Sequence, residues 1–208
     1  LAATGATGGV QLAGTRTFSP DASYVYNGTA AQVTGPGLPG RVRNLTITNA
    51  SGVTLSVPTA VAQLLTLANG NLTLADQSLT LLSDATGTAM VVNTNGVVNG
   101  TATVQRYIDP ATNGGAGYRH YSSPVQNATV ADLATSGFTP VVNPAYNTQG
   151  NSVTPFPTVF GYDANRLTAS GANFDQGWYS PAAMSEVLTP GLGYTVNIPA
   201  SQTVDFVG

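Results

Sequence analysis

The sequence has 208 residues, enough for one large domain or two small ones, and only 7% of them are charged, against roughly 25% in an ordinary soluble domain. The formal net charge is −3 and every basic residue is an Arg (Arg16, Arg41, Arg43, Arg106, Arg119, Arg166), which argues against nucleic acid as a partner, since phosphates need clustered Lys and Arg. No apolar run approaches the ~20 residues that span a bilayer, so no membrane insertion is expected, and zero Cys excludes a disulfide framework and thiolate metal sites.

The chain starts without an initiator Met or a signal peptide and so reads as a processed product or a fragment. Residues 1–16 form a small-residue leader containing the strand-like positions Val10 and Leu12. From Leu45 the pattern becomes regular. Leu45/Ile47, Val53/Leu55/Val57, Leu65/Leu67, Leu72/Leu74, Leu79/Leu81, Val91 with its neighbours, and Ala102/Val104 alternate apolar residues with polar ones, often Thr, the mark of a half-buried strand. Between these pairs lie Asn-Ala-Ser-Gly (49–52), Asn-Gly (69–70), Asp-Gln-Ser (76–78) and Asn-Gly (95–96), which is turn chemistry.

Aligning Leu45 with Leu65 brings Val53 within a residue of Leu72, a period of about 20 residues, and a looser third copy runs from about Met90 to Ile108. Such a period predicts stacked solenoid coils, none of which buries its apolar face alone. A β-meander sandwich, with the Asn-Gly pairs closing hairpins, competes with that reading. Strands of three to five residues separated by small uncharged turns favour a short parallel β-solenoid over residues 1–104. After Gln105 the repeat stops and aromatic residues become dense, which predicts an all-β, sandwich-like second domain over 105–208 with long loops and one short helix in 130–138. The fold class expected is therefore all-β throughout.

The stretch "TFSPDASYVYNGTAAQVTGPGLPGRVRNLTITNASGVTLS" (17–56), through "YVYNGTAAQVTG", "LP", "NLTITN" and "GVTL", resembles a recurrent module of large surface proteins of Bacteroidota that use type IX secretion. The second half is similar to the segment following such modules in "VQRYI", "GYRHYSSPV", "VFGYDANR", "GW" and "PGLGYTV". The resemblance implies a secreted, repeat-built protein of the extracellular cell surface, sorted by a C-terminal signal that these 208 residues lack. Such families are mostly adhesion-like, so the resemblance speaks to location and architecture more than to activity.

Candidate chemistry is sparse. The lone His120 neighbours Ser122 and Ser123, but a nucleophile pair needs the ring within reach of a Ser hydroxyl and a carboxylate to orient it, and there is no G-x-S-x-G elbow. Asp163, Asp175 and Glu186 could form a carboxylate pair, yet "DANR" and "NFDQG" also read as turns capped by Asp. Tyr162, Trp178 and Tyr179 are the candidate glycan contacts, set against the ordinary alternative of core aromatics. The six Asn-x-Ser/Thr triplets, at Asn27, Asn44, Asn49, Asn71, Asn99 and Asn127, read as turn Asn residues, stacked as polar ladders between coils. No metal motif, phosphate loop or cofactor signature is present, so no cofactor, metal or enzymatic activity is expected.

A solenoid with few charges has poorly protected ends. The expectation is a structural or adhesive protein whose copies join end to end into a filament by strand addition. Val10 and Leu12 at one terminus, and Val204 and Phe206 in the terminal "TVDFVG", are the candidate assembly strands. The alternative is a carbohydrate-binding module of a large secreted protein, with extracellular polysaccharide as the partner.

Overall fold

The structure is a computed structural model that describes residue 4 and residues 15–167 and 175–208. The chain divides into two compact units, Leu1–Arg106 and Tyr107–Gly208.

The first unit is a β-solenoid of about four turns. Its strands are β1 (Ser23–Tyr26), β2 (Gln32–Val33), β3 (Arg41–Thr48), β4 (Val53–Thr54), β5 (Thr59–Asn69), β6 (Leu72–Thr73), β7 (Leu79–Leu81), β8 (Ser83–Asp84), β9 (Gly87–Thr88), β10 (Met90–Asn93), β11 (Val98–Asn99) and β12 (Ala102–Tyr107). One parallel sheet runs β1-β3-β5-β7-β12, with β10 also on β5; the second runs β2-β4-β6-β11. Each coil thus gives one face to each sheet.

The register is the one the repeat implies. Leu45 pairs with Leu65 and Val53 with Leu72. Because the strands are parallel and aligned, like residues stack into ladders along the core: Tyr24–Leu45–Leu65 and Tyr26–Ile47–Leu67 under one sheet, Gln32–Val53–Leu72 under the other. All of these side chains are buried, while Thr46 and Thr66, between the inward Leu and Ile positions, are only half-buried. Burying each Leu or Ile of such a ladder is worth about 1.5–3 kcal/mol, so the coils hold one another rather than themselves.

The Asn-Gly pairs turn coil corners instead of closing hairpins. Gly70 has φ +99°, and a side chain there would run into the Asn49 carbonyl of the coil below. Gly96 sits in the same way on the Gly70 carbonyl. Corner Asn residues bond from coil to coil, though not as a ladder of the six triplet Asn: Asn95 Nδ2 donates to Asn69 Oδ1 at 3.2 Å, and Val97 N–H donates to Asn71 Oδ1 at 3.0 Å. At the first coil the corner is satisfied by a buried amide pair, Asn49 Nδ2 donating to Gln32 Oε1 at 3.0 Å and to the Ala30 carbonyl at 2.7 Å.

The fourth coil is interrupted. β7 pairs with the first part of β5 and β10 with its last part, and between them the antiparallel hairpin β8–β9 leaves the coil, its neck closed by Ala89 N–H donating to the Leu82 carbonyl at 2.7 Å. β12 continues the stack over β7, Ala102 pairing with Leu79 and Val104 with Leu81.

The second unit contains a four-stranded antiparallel sheet in the order β13 (Gly117–Tyr121), β16 (Tyr194–Ile198), β14 (Val159–Tyr162), β15 (Trp178–Tyr179), and a further strand, β17 (Thr203–Val207). One face of the sheet, with Val159, Val196 and Ile198, packs on Ile108, Ala128, Val130, Leu133, Leu188, Val204 and Phe206 in a closed apolar core. The short helix expected in 130–138 is a 3-10 turn, Val130–Leu133, and one α turn, α1 (Tyr146–Gln149), follows. The layer on this face of the sheet is built from loops, the 3-10 turn and β17. Pro140, Pro144, Pro155, Pro157, Pro181 and Pro190 punctuate the long connections, and each lacks the N–H a central strand must donate.

Candidate functional site

The opposite face of the four-stranded sheet carries the most distinctive chemistry in the second unit. In antiparallel pairing, directly opposed residues point to the same side. His120 opposes Thr195, which opposes Phe160; Tyr118 opposes Asn197; Tyr162 opposes Trp178. Period-2 alternation therefore lines up Tyr118, His120, Phe160, Tyr162, Trp178 and Thr195 on one face, away from the closed core. α1 brings Tyr146 over that face, and the loop held between Pro155 and Pro157 brings Phe156.

These residues enclose a cleft of about 220 Å³ lined by Tyr118, His120, Tyr146, Phe156, Phe160, Trp178 and Thr195. The rings meet edge to face: Tyr146 and Phe160 at 5.2 Å between centroids, Tyr146 and Phe156 at 5.7 Å, Tyr118 and Phe160 at 6.2 Å, Tyr162 and Trp178 at 5.2 Å. Such arrangements are worth about 0.5–1.5 kcal/mol per pair beyond burial, so the walls are held in place by one another. Tyr146 and Phe160 form a buried floor, whereas Tyr118 is 51% exposed, Tyr162 45% and Phe156 39%.

Polar groups in the cleft are few, and none of them is a carboxylate, Lys or Arg. His120 Nδ1 and Thr195 Oγ1 share a hydrogen bond of 2.7 Å. The Tyr146 hydroxyl donates to Asp175 Oδ1 at 3.1 Å, below the floor; burial, and then the Asp175 charge and this bond, push the phenol up to about 12.

The sequence candidates are distributed as follows. Tyr162 and Trp178 come together as an edge-to-face pair, of which Trp178 lines the cleft, but Tyr179 opposes Gly161 and lies on the other face of the sheet, covering that glycine. Ser122 and Ser123 do not meet His120: Ser122 Oγ accepts from Gly191 N–H, and Ser123 Oγ donates to the Val125 carbonyl at 2.6 Å. Arg119, beside His120 in sequence, points to the other face and clasps the Ile198, Asn113 and Gly115 carbonyls. The carboxylates do not pair. Asp163 accepts from Asn165 N–H, Glu186 from Ala182 N–H, and Asp175 from Tyr146. Among the described residues no group of three or more His, Cys, Asp or Glu could hold a metal, and no helix is long and apolar enough to cross a membrane.

Val204 and Phe206 are fully buried in the core of the second unit; Val10 and Leu12 lie outside the described residues. The exposed apolar strand is a different one. In β10 Met90, Val91 and Val92 are all open to solvent, as is Val97 before β11. β10 pairs with β5 on one side, and β12 covers β7 rather than β10. Among the described strands, the fourth coil is thus covered over β7 and uncovered over β10.

Sequence reasoning missed Tyr118, Tyr146, Phe156 and Phe160 in the cleft and the β10 edge. The alternation in "GYRHY" was a usable signal, since it places Tyr118 and His120 on the same side of one strand. No protein-family model, curated protein or solved structure matches this chain.

Proposed function

We propose that the chain is a non-enzymatic structural and adhesive module of an exported bacterial surface protein, and that copies join by adding a strand layer to the open part of the fourth coil. One observation carries this reading: Val91 continues the buried Tyr24–Leu45–Leu65 ladder, with no described strand over it. An apolar strand edge of this kind is a template for another strand, and soluble solenoids normally cap it with charge or Pro. Met90, Val91, Val92 and Asn93 supply neither. A low density of charge also weakens the repulsion that keeps copies apart. The resemblance to type IX-secreted surface modules supports an extracellular location. The engagement of Ser122 and Ser123 by backbone groups, apart from His120, supports a role other than catalysis.

Size-exclusion chromatography with light scattering, alongside negative-stain microscopy, tests the proposal. Concentration-dependent species that persist in high salt and vanish in Val91→Lys are the expected result. A monomer at every concentration overturns self-association through this edge.

A further inference from the structure

We propose that the aromatic cleft of the second unit is a binding site for a neutral sugar ring, with Tyr118 and Trp178 as stacking walls and His120 as the hydrogen-bonding group at the mouth. The inference is independent of strand addition at β10, which lies in the other unit, so either can fail alone.

Three properties of the cleft select this ligand class. The first is size. A volume of about 220 Å³ lies below the ~300–1,000 Å³ of pockets for larger ligands and suits one six-membered ring. The second is the pairing of apolar walls with a small polar rim that holds no carboxylate, Lys or Arg. The C–H faces of a pyranose pack on aromatic rings, while its hydroxyls demand partners, because a buried hydroxyl left unpaired costs about 1–3 kcal/mol. Tyr118 Oη and Trp178 Nε1 stand at the cleft with no hydrogen bond to any described residue, and the His120 Nδ1 bond to Thr195 leaves Nε2 for a ligand hydroxyl. The third is charge. An ammonium ligand would want a carboxylate facing the rings, but no Asp or Glu lines the cleft, and Asp175, which meets Tyr146, is buried and accepts its hydroxyl. A purely apolar side chain would leave the rim unsatisfied.

The cleft is also prepared in a way a packing core does not require. Tyr118 is 51% and Phe156 39% exposed, yet Tyr118 is braced by Phe160 and Phe156 by Tyr146, while Trp178 is braced from behind by Tyr162. Rings fixed before binding lose little entropy when a ligand arrives.

Trp178 is the only Trp in the chain, so its emission reports on this cleft alone. The purified protein is titrated with methyl β-D-glucopyranoside, methyl α-D-mannopyranoside, N-acetylglucosamine and cellohexaose, and in parallel with tetramethylammonium chloride and a proline-rich peptide. The expected result is a saturable change with at least one sugar, weakened about tenfold or more in Tyr118→Ala and in His120→Ala but retained in His120→Gln. Tyr118 and His120 are exposed strand residues, so both variants should keep the wild-type circular dichroism. Saturation by the ammonium salt or the peptide alone, no saturation by any sugar, or sugar binding indifferent to Tyr118→Ala overturns the proposal.

Discussion

Val91 lies beside Leu65 in the parallel ladder, at the same inward position, yet Leu65 is 1% exposed and Val91 48%. The two differ only in what lies beyond them. Among the described residues, Leu65 has a coil on either side and Val91 has one. Leu65→Ala should therefore cost about 2–5 kcal/mol, the usual range for a truncated core Leu. Val91→Lys should change stability by less than about 1 kcal/mol, because its ammonium reaches water. Denaturant midpoints of the two variants check this, and a large loss in Val91→Lys would mean the end of the solenoid is covered in solution.

The corner glycines should be separable by the same means. Gly70 is left-handed at φ +99°, and a Cβ there would strike the Asn49 carbonyl, a backbone atom that cannot swing aside. Gly87, at the tip of the β8–β9 hairpin, meets nothing within 4 Å. Gly70→Ala should lose well over the ~1 kcal/mol that conformation alone costs, whereas Gly87→Ala should stay within about 0.5 kcal/mol of wild type. Equal effects at both sites would refute the stacked-corner account.

The repeat was legible because a parallel ladder copies its own spacing: Leu45 to Leu65 and Val53 to Leu72 are both sequence intervals and structural pairs. The third copy looked looser for a physical reason. Met90 pairs with Leu64 across the β8–β9 insertion, so its interval exceeds that of Leu79, which pairs with Thr59. The aromatic cleft was legible only in part. Trp178 and Tyr179 are adjacent in sequence, and strand alternation sends them to opposite faces. His120 and Thr195 meet because β13 and β16 pair across a long, Pro-rich excursion, and no local pattern specifies that register.

The β8–β9 hairpin is joined to its coil at one neck, so it should be removable. Deleting 83–88 would join Leu82 directly to Ala89, which the neck already hydrogen-bonds. The deletion loses the Ser83–Thr88 hydroxyl pair and the Ser83 N–H bond to Gln105, both outside the main ladders. It also removes Asp84 and Thr86 from the wall of a polar hollow they share with Arg41 and Gln63. Circular dichroism should retain the β signature and thermal unfolding should remain a single transition, with a melting shift of about 5 °C or less. Loss of cooperative unfolding would assign the hairpin a structural role in the coil.

Alkali should act on the second unit through Tyr146. Its phenol titrates at about 12 in the folded chain against 10.0 ordinarily, because burial disfavours the phenolate and the Asp175 carboxylate beside it adds repulsion. The folded form holds its proton longer than the unfolded one, so this contribution is complete below pH 10.0 and drains away as pH rises towards about 12. Tyr146→Phe tests the assignment with two opposite readouts. At neutral pH the variant should be weaker by about 1–3 kcal/mol, since Asp175 Oδ1 loses its donor in a buried setting. Between pH 10.0 and about 12 its stability should decline less steeply than that of the wild type, the residual slope coming from other buried phenols such as Tyr26 and Tyr121. Urea unfolding at both pH values measures the difference. An unchanged slope in the variant would place the alkaline transition elsewhere, with Tyr26 in the first unit as the next residue to replace.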